Sequence, residues 1–118
     1  MALSFGELFN ALTGWVGCEV TVQCRVMVDA PERSFIAASY EAYLGGEKLL
    51  VTNGAEIARQ LLHKLPPYGG GACLYDEEIL ITGTVLVVPS GFQFTAVKTC
   101  TVRRDDTEIV IQFPTRKV

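Results

Sequence analysis

The sequence predicts an α+β fold, mainly antiparallel β, with the element order α-β-β-β-α-β-β-β and two short helices. Three observations predict it. Residues 17–28 alternate apolar and polar side chains, the mark of a strand with one buried face. Residues 4–13 and 54–65 instead place their apolar side chains at helical spacing. The rest is cut into short runs by Gly, Pro, Asn and Asp, and strands joined by short turns pair antiparallel.

The first helix opens at Ser4. Its hydroxyl can accept a bond from the N–H of Glu7, whose carboxylate can reach back, a capping box. Phe5, Leu8, Phe9 and Leu12 share one face, Glu7 and Asn10 lie opposite, and Gly14 is a stop signal. That face suits a helix lying on a sheet. In the strand that follows, Cys18, Val20, Val22, Cys24, Val26 and Val28 form the buried side, and Glu19, Thr21, Gln23, Arg25 and Met27 the wetter side. After a polar loop at residues 29–33, residues 34–44 read as a second strand with Ile36, Ala38, Tyr40, Ala42 and Leu44 on one face. Gly45-Gly46 punctuates it, and residues 47–52 are a short third strand.

In the second helix Asn53 and Glu56 stand in the N-cap and N3 relation. Ile57, Ala58, Leu61, Leu62 and Leu65 fall on one side. At ~100° per residue, His63 points away from them. Pro66-Pro67 forbids continuation, and Tyr68-Gly69-Gly70-Gly71 is a connector. Residues 78–88 form a nearly continuous apolar strand in which Gly83 marks a bulge or bend. Pro89-Ser90-Gly91 makes a hairpin-type turn. Residues 92–103 follow, with Phe94, Ala96, Cys100 and Val102 in phase and Lys98 interrupting that face. Residues 104–107 turn the chain again, and residues 108–113 close with Ile109, Ile111 and Phe113 together. Residues 114–118 are expected to be a mobile tail. Residues 19–28 echo residues 78–87, which reads either as a decayed duplication or as chance similarity of two apolar strands.

Three strands, a helix and then further strands resembles the order of the OB-fold, a small Greek-key barrel. A strongly curved sheet with helices on one face is the other arrangement that fits. The opening helix before a strand and curved hairpins also resembles the Sm-like barrel, without that family's motifs. Such folds serve many functions, so the resemblance alone implies little about activity.

A chain of 118 residues fits one domain, residues 1–118, able to bury one core without staples. Apolar residues make up 49% and charged residues 19%, far from a disordered composition. Ten basic against thirteen acidic residues give a net charge of −3, which disfavours a strong polyanion binder. Apolar runs are short; Val85-Leu86-Val87-Val88 ends at Pro89, so no membrane-spanning helix is expected. The first residues lack the basic start and apolar core of a secretory signal, which predicts a cytoplasmic protein. Its four cysteines then read as reduced, buried small hydrophobes. Cys18 and Cys24 cannot pair, because six strand residues separate their Cα atoms by ~20 Å, whereas a bridge needs ~7 Å or less.

The residues offer little chemistry. A thiol or hydroxyl nucleophile needs a base, and His63, the sole histidine, sits on the solvent side of its helix. Asp76-Glu77-Glu78 and Asp105-Asp106 fall at expected turns, where carboxylates are simply solvated. Gly69-Gly70-Gly71 follows a helix and precedes a strand, the reverse of a phosphate loop. No catalytic residue, cofactor or metal ligand is therefore expected. The favoured reading is a small non-enzymatic binding module acting through protein contact and self-associating into a homo-oligomer. Trp15, Tyr43, Tyr68 and Phe92, near element ends, are its candidate anchors. The alternative is an OB-like nucleic-acid binder using the basic group Lys98, Arg103 and Arg104. A further alternative is an enzyme whose site carries no recognisable motif.

Overall fold

The computed structural model describes residues 2–67 and 73–113. The chain runs β1 (Leu3–Ser4), α1 (Phe5–Phe9), α2 (Leu12–Trp15), β2 (Glu19–Ala30), β3 (Arg33–Ala37), α3 (Tyr40–Leu44), β4 (Lys48–Val51), α4 (Gly54–Lys64), β5 (Tyr75–Val88), β6 (Gly91–Arg104) and β7 (Thr107–Ile111). Among the described residues these strands form one mixed sheet. The pairs β2–β3, β3–β4, β5–β6 and β6–β7 are antiparallel. β5 also pairs antiparallel with β2, from Glu19↔Thr84 to Val28↔Tyr75, so the two echoing segments are sheet neighbours. Two pairings are parallel. β1 lies beside β2 at Leu3↔Val22, and β4 beside β6 at Leu50↔Gln93 and Val51↔Phe94. The second follows from α4 and β5, which carry the chain across before β6 returns alongside β4.

The capping box forms as expected. The Glu7 N–H donates to Ser4 Oγ at 3.1 Å and the Ser4 N–H donates to Glu7 Oε1 at 2.9 Å. The expected first helix is nevertheless two short ones, broken after Phe9. The expected second strand is also divided. It stops at Ala37, and Ser39 Oγ accepts the Ala42 N–H at 3.1 Å to cap α3. Residues that alternate as a strand would require thus lie on a helix, because a local cap competes with the ladder. Asn53 does not act as the expected side-chain cap of α4, and its Oδ1 is buried without a hydrogen-bond partner.

The interior holds Val22, Val26, Ile36, Ile57, Leu61, Ile81, Phe94, Cys100 and Ile111, all at 1% exposure or less. α4 contributes Ile57, Ala58 and Leu61, while Leu62 is 43% exposed and His63 faces outward as its phase predicts. Met27, expected on the wetter side of β2, is fully buried because α3 and its Tyr43 cover it there.

β5 and β6 carry the largest departure from simple alternation. Thr82 pairs with Thr99 but Thr84 pairs with Thr95, so β6 bulges opposite Gly83. Ala96 takes φ 51° in that bulge. The phase shifts there: Ala96 and Lys98 face outward and Val97 goes inside. Gly83 is required by close approach, since a Cβ would stand 2.6 Å from Phe94 Cε2 and 2.9 Å from the Thr95 carbonyl oxygen. β5 also begins at Tyr75, so Asp76, Glu77 and Glu78 belong to a strand rather than to a turn. Glu77, expected to be solvated, is 2% exposed and ion-paired with Arg104.

Candidate functional site

The register of β2, β5, β6 and β7 determines what their outer face displays. Val22, Val26, Ile79, Ile81, Cys100, Val102 and Ile111 point into the core. The alternate residues therefore face outward. One outward row reads Arg25↔Glu78, Glu78↔Arg103 and Arg103↔Glu108, a cross-strand ladder of alternating charge. The next reads Gln23↔Leu80, Leu80↔Thr101 and Thr101↔Val110. Leu80 is 43% and Val110 48% exposed. A depression lies between these rows, lined by Gln23, Glu78, Leu80, Thr101, Arg103 and Glu108. Arg103 Nη2 stands 3.2 Å from Glu108 Oε2 within the ladder, and Arg25 Nε donates to Asp76 Oδ1 at 2.7 Å beside it. Beyond the apolar row, the Thr21 and Thr82 hydroxyls share a hydrogen bond of 2.7 Å.

A second cluster lies on the outer side of β2 and β3. Phe35 and Tyr43 meet edge to face at 5.7 Å between centroids, and Tyr40 stacks on Tyr43 at 6.2 Å. Lys48 Nζ sits 4.4 Å from the Tyr43 ring centroid and 5.1 Å from that of Phe35, while the Arg33 guanidinium lies 5.7 Å over Phe35. Asp29 takes both Arg33 and the Tyr43 hydroxyl, the latter donating at 3.4 Å. Burial, with the neighbouring Asp29 charge, pushes the Tyr43 hydroxyl up to about 12, so it stays a neutral donor. Rings and cations here largely satisfy one another.

The candidate anchors differ in exposure. Tyr43 is the buried centre of this cluster, and Trp15 and Phe92 are half-buried against the main core. Tyr68 lies outside the described residues, as do Gly69, Gly70, Gly71 and residues 114–118. The three basic candidates face different ways. Lys98 projects from the bulge to Glu19 at 3.1 Å, Arg103 belongs to the outward ladder, and Arg104 turns inward to Glu77 and the Pro66 carbonyl.

The chain matches no family model, no curated protein and no solved structure.

What the residues can do is thus read from their own placement. All four cysteines are free, but only Cys24, Cys73 and Cys100 are buried; Cys18, expected inside, precedes the start of β2 and is exposed. Burial raises the Cys24 and Cys73 thiols above the ordinary range and pushes Cys100 up to about 12, so these thiols stay protonated near neutral pH and are poor nucleophiles. Among the described residues no group of three His, Cys, Asp or Glu is disposed to hold a metal ion. None of the described helices is long and apolar enough to cross a membrane. The outward surface carries the charged ladder with its apolar row, and exposed Val16, Leu86 and Val87 by the β5–β6 hairpin, where Val16 bridges to Val85. Sequence reasoning named Arg103 but missed Arg25, Glu78, Leu80, Glu108 and Val110. Their proximity is a property of register, which no local pattern states.

Proposed function

We propose that this chain is a small cytoplasmic binding module with an OB-like barrel, non-enzymatic, acting through protein contact and most simply through a second copy of itself. The barrel reading is supported by the pairing path β2, β3, β4, β6, β5 with β5 returning to β2, by the parallel β4–β6 pair, and by a helix between the third and fourth strands of that circuit.

One observation carries the protein-contact reading. Every described arginine is held by a carboxylate: Arg25 by Asp76, Arg33 by Asp29, Arg59 by Glu56, Arg103 by Glu108 and Arg104 by Glu77. A phosphate backbone would have to displace these acids, in a chain already at −3. Exposed Leu80, Val110, Leu86 and Val87 instead offer surface whose burial against a protein is favourable.

The nucleic-acid reading has one feature in its favour. Phe35 and Tyr40 are half-exposed beside Lys48 and Arg33, on the face that OB-folds use for oligonucleotides. The two readings separate in a titration of fluorescently labelled single-stranded DNA and RNA at low salt, followed by anisotropy. No saturable binding at micromolar protein is expected. Micromolar binding that collapses as salt rises would overturn the protein-contact reading, and Lys48 and Arg33, beside the exposed rings, would be the first residues to replace.

A further inference from the structure

We infer that the outer face of β2, β5, β6 and β7 is the surface on which a second copy of the chain docks, around a two-fold axis that runs along the strands between β5 and β6. The inference rests on the protein-contact reading and adds the partner, the surface and the symmetry.

The charges select this arrangement. A two-fold axis lying in the interface along the strand direction reverses the strand order seen across it. The partner's β7, β6, β5 and β2 then face β2, β5, β6 and β7 of the first copy. The ladder Arg25, Glu78, Arg103, Glu108 alternates in sign over an even number of strands. About its midpoint it is its own complement: Arg25 meets the second copy's Glu108, and Glu78 meets the second copy's Arg103. An axis displaced onto β5 would set Arg25 against Arg103, and one displaced onto β6 would set Glu78 against Glu108. Like-charge juxtaposition excludes both. The charges thus disfavour an axis on either strand, and of the axes between strands only this central one engages all four charges.

The adjoining row supplies the driving force. Reversal about the same axis brings the two Leu80 side chains to either side of it, each over the other copy's Thr101, and lays Val110 over the other copy's Gln23. Leu80 and Val110 are 43% and 48% exposed in the single chain and would lose that exposure. The depression between the rows receives them. The Thr21 and Thr82 hydroxyls already bond each other, so covering them leaves neither without a partner. Two sheets packed with their strands nearly aligned is a common way for β surfaces to meet.

The test uses Glu78→Arg, Arg103→Glu, the double reversal and Leu80→Ser. Mass is read by light scattering and native mass spectrometry, and folding by circular dichroism. Wild type is expected to dimerise. Each single reversal, and Leu80→Ser, should weaken the dimer tenfold or more while the chain stays folded. The double reversal restores complementarity between its own copies, so it should dimerise with itself. It should form no mixed dimer with mass-labelled wild type, because both of its reversed charges then meet like charges. If the wild-type dimer persists unchanged in the single reversals and in Leu80→Ser, or if the double reversal mixes freely with wild type, this face is overturned while self-association stands. A wild-type chain that is monomeric throughout overturns both.

Discussion

Replacing Arg104 by alanine is expected to cost ~3–5 kcal/mol, the loss that follows when one partner of a buried ion pair is removed. The reason is Glu77, which is 2% exposed on β5. Arg104 Nε donates to both of its carboxylate oxygens at 3.1 Å, and Nη1 donates to the Pro66 carbonyl at 3.0 Å. The guanidinium also lies 5.8 Å over the Tyr75 ring, whose hydroxyl donates to the Leu61 and Leu65 carbonyls at 3.1 and 2.6 Å. One side chain therefore joins β5, β6 and the C-terminal end of α4. Without it the carboxylate stays out of water without the counter-charge that is hydrogen-bonded to it. Replacing both members, Glu77→Leu with Arg104→Leu, should recover much of the loss, because an apolar pair needs no compensation. Urea unfolding of the three variants measures this, and a single-variant loss below ~1 kcal/mol would mean that Glu77 reaches water.

Phe94→Ala is expected to cost a similar ~3–5 kcal/mol, as the deletion of a fully buried ring leaves a cavity. Phe94 is 0% exposed and packs against the space that Gly83 leaves open. Gly83→Ala forces a methyl into that contact and should cost ~1–3 kcal/mol by overpacking. The two positions touch, so their effects should not add. In a Phe94→Leu background Gly83→Ala should be milder, with part of its cost retained through the Thr95 carbonyl at 2.9 Å. Strict additivity in a double-mutant cycle would mean that ring and glycine do not meet.

The features legible from the sequence are those in which neighbours along the chain decide the outcome. The alternation of β2 from Glu19 to Val26, the Ser4–Glu7 box and the Ile57, Ala58, Leu61 face of α4 are of that kind, and each is present. The alternation of Ile36, Ala38 and Tyr40 misleads because Ser39 can start a helix, and whether it does depends on Tyr43 finding Met27 beneath it. The shifted phase of β6 arises from the bulge opposite Gly83, a cross-strand event that places Lys98 outside and Val97 inside. The outward charged row is the least legible feature. Arg25, Glu78, Arg103 and Glu108 are scattered along the chain, and only pairing brings them into one row. Of the aromatic residues suggested as anchors, Tyr43 is buried, and Trp15 and Phe92 are half-buried against the core.

Sedimentation equilibrium of the wild-type chain over a wide concentration range, at low and high salt, tests the protein-contact reading most directly. A species of twice 12.9 kDa that persists in high salt is predicted, because apolar burial drives the association and salt does not screen it. A 12.9 kDa species at every concentration, gaining mass only when a single-stranded oligonucleotide is added at low salt, would contradict it.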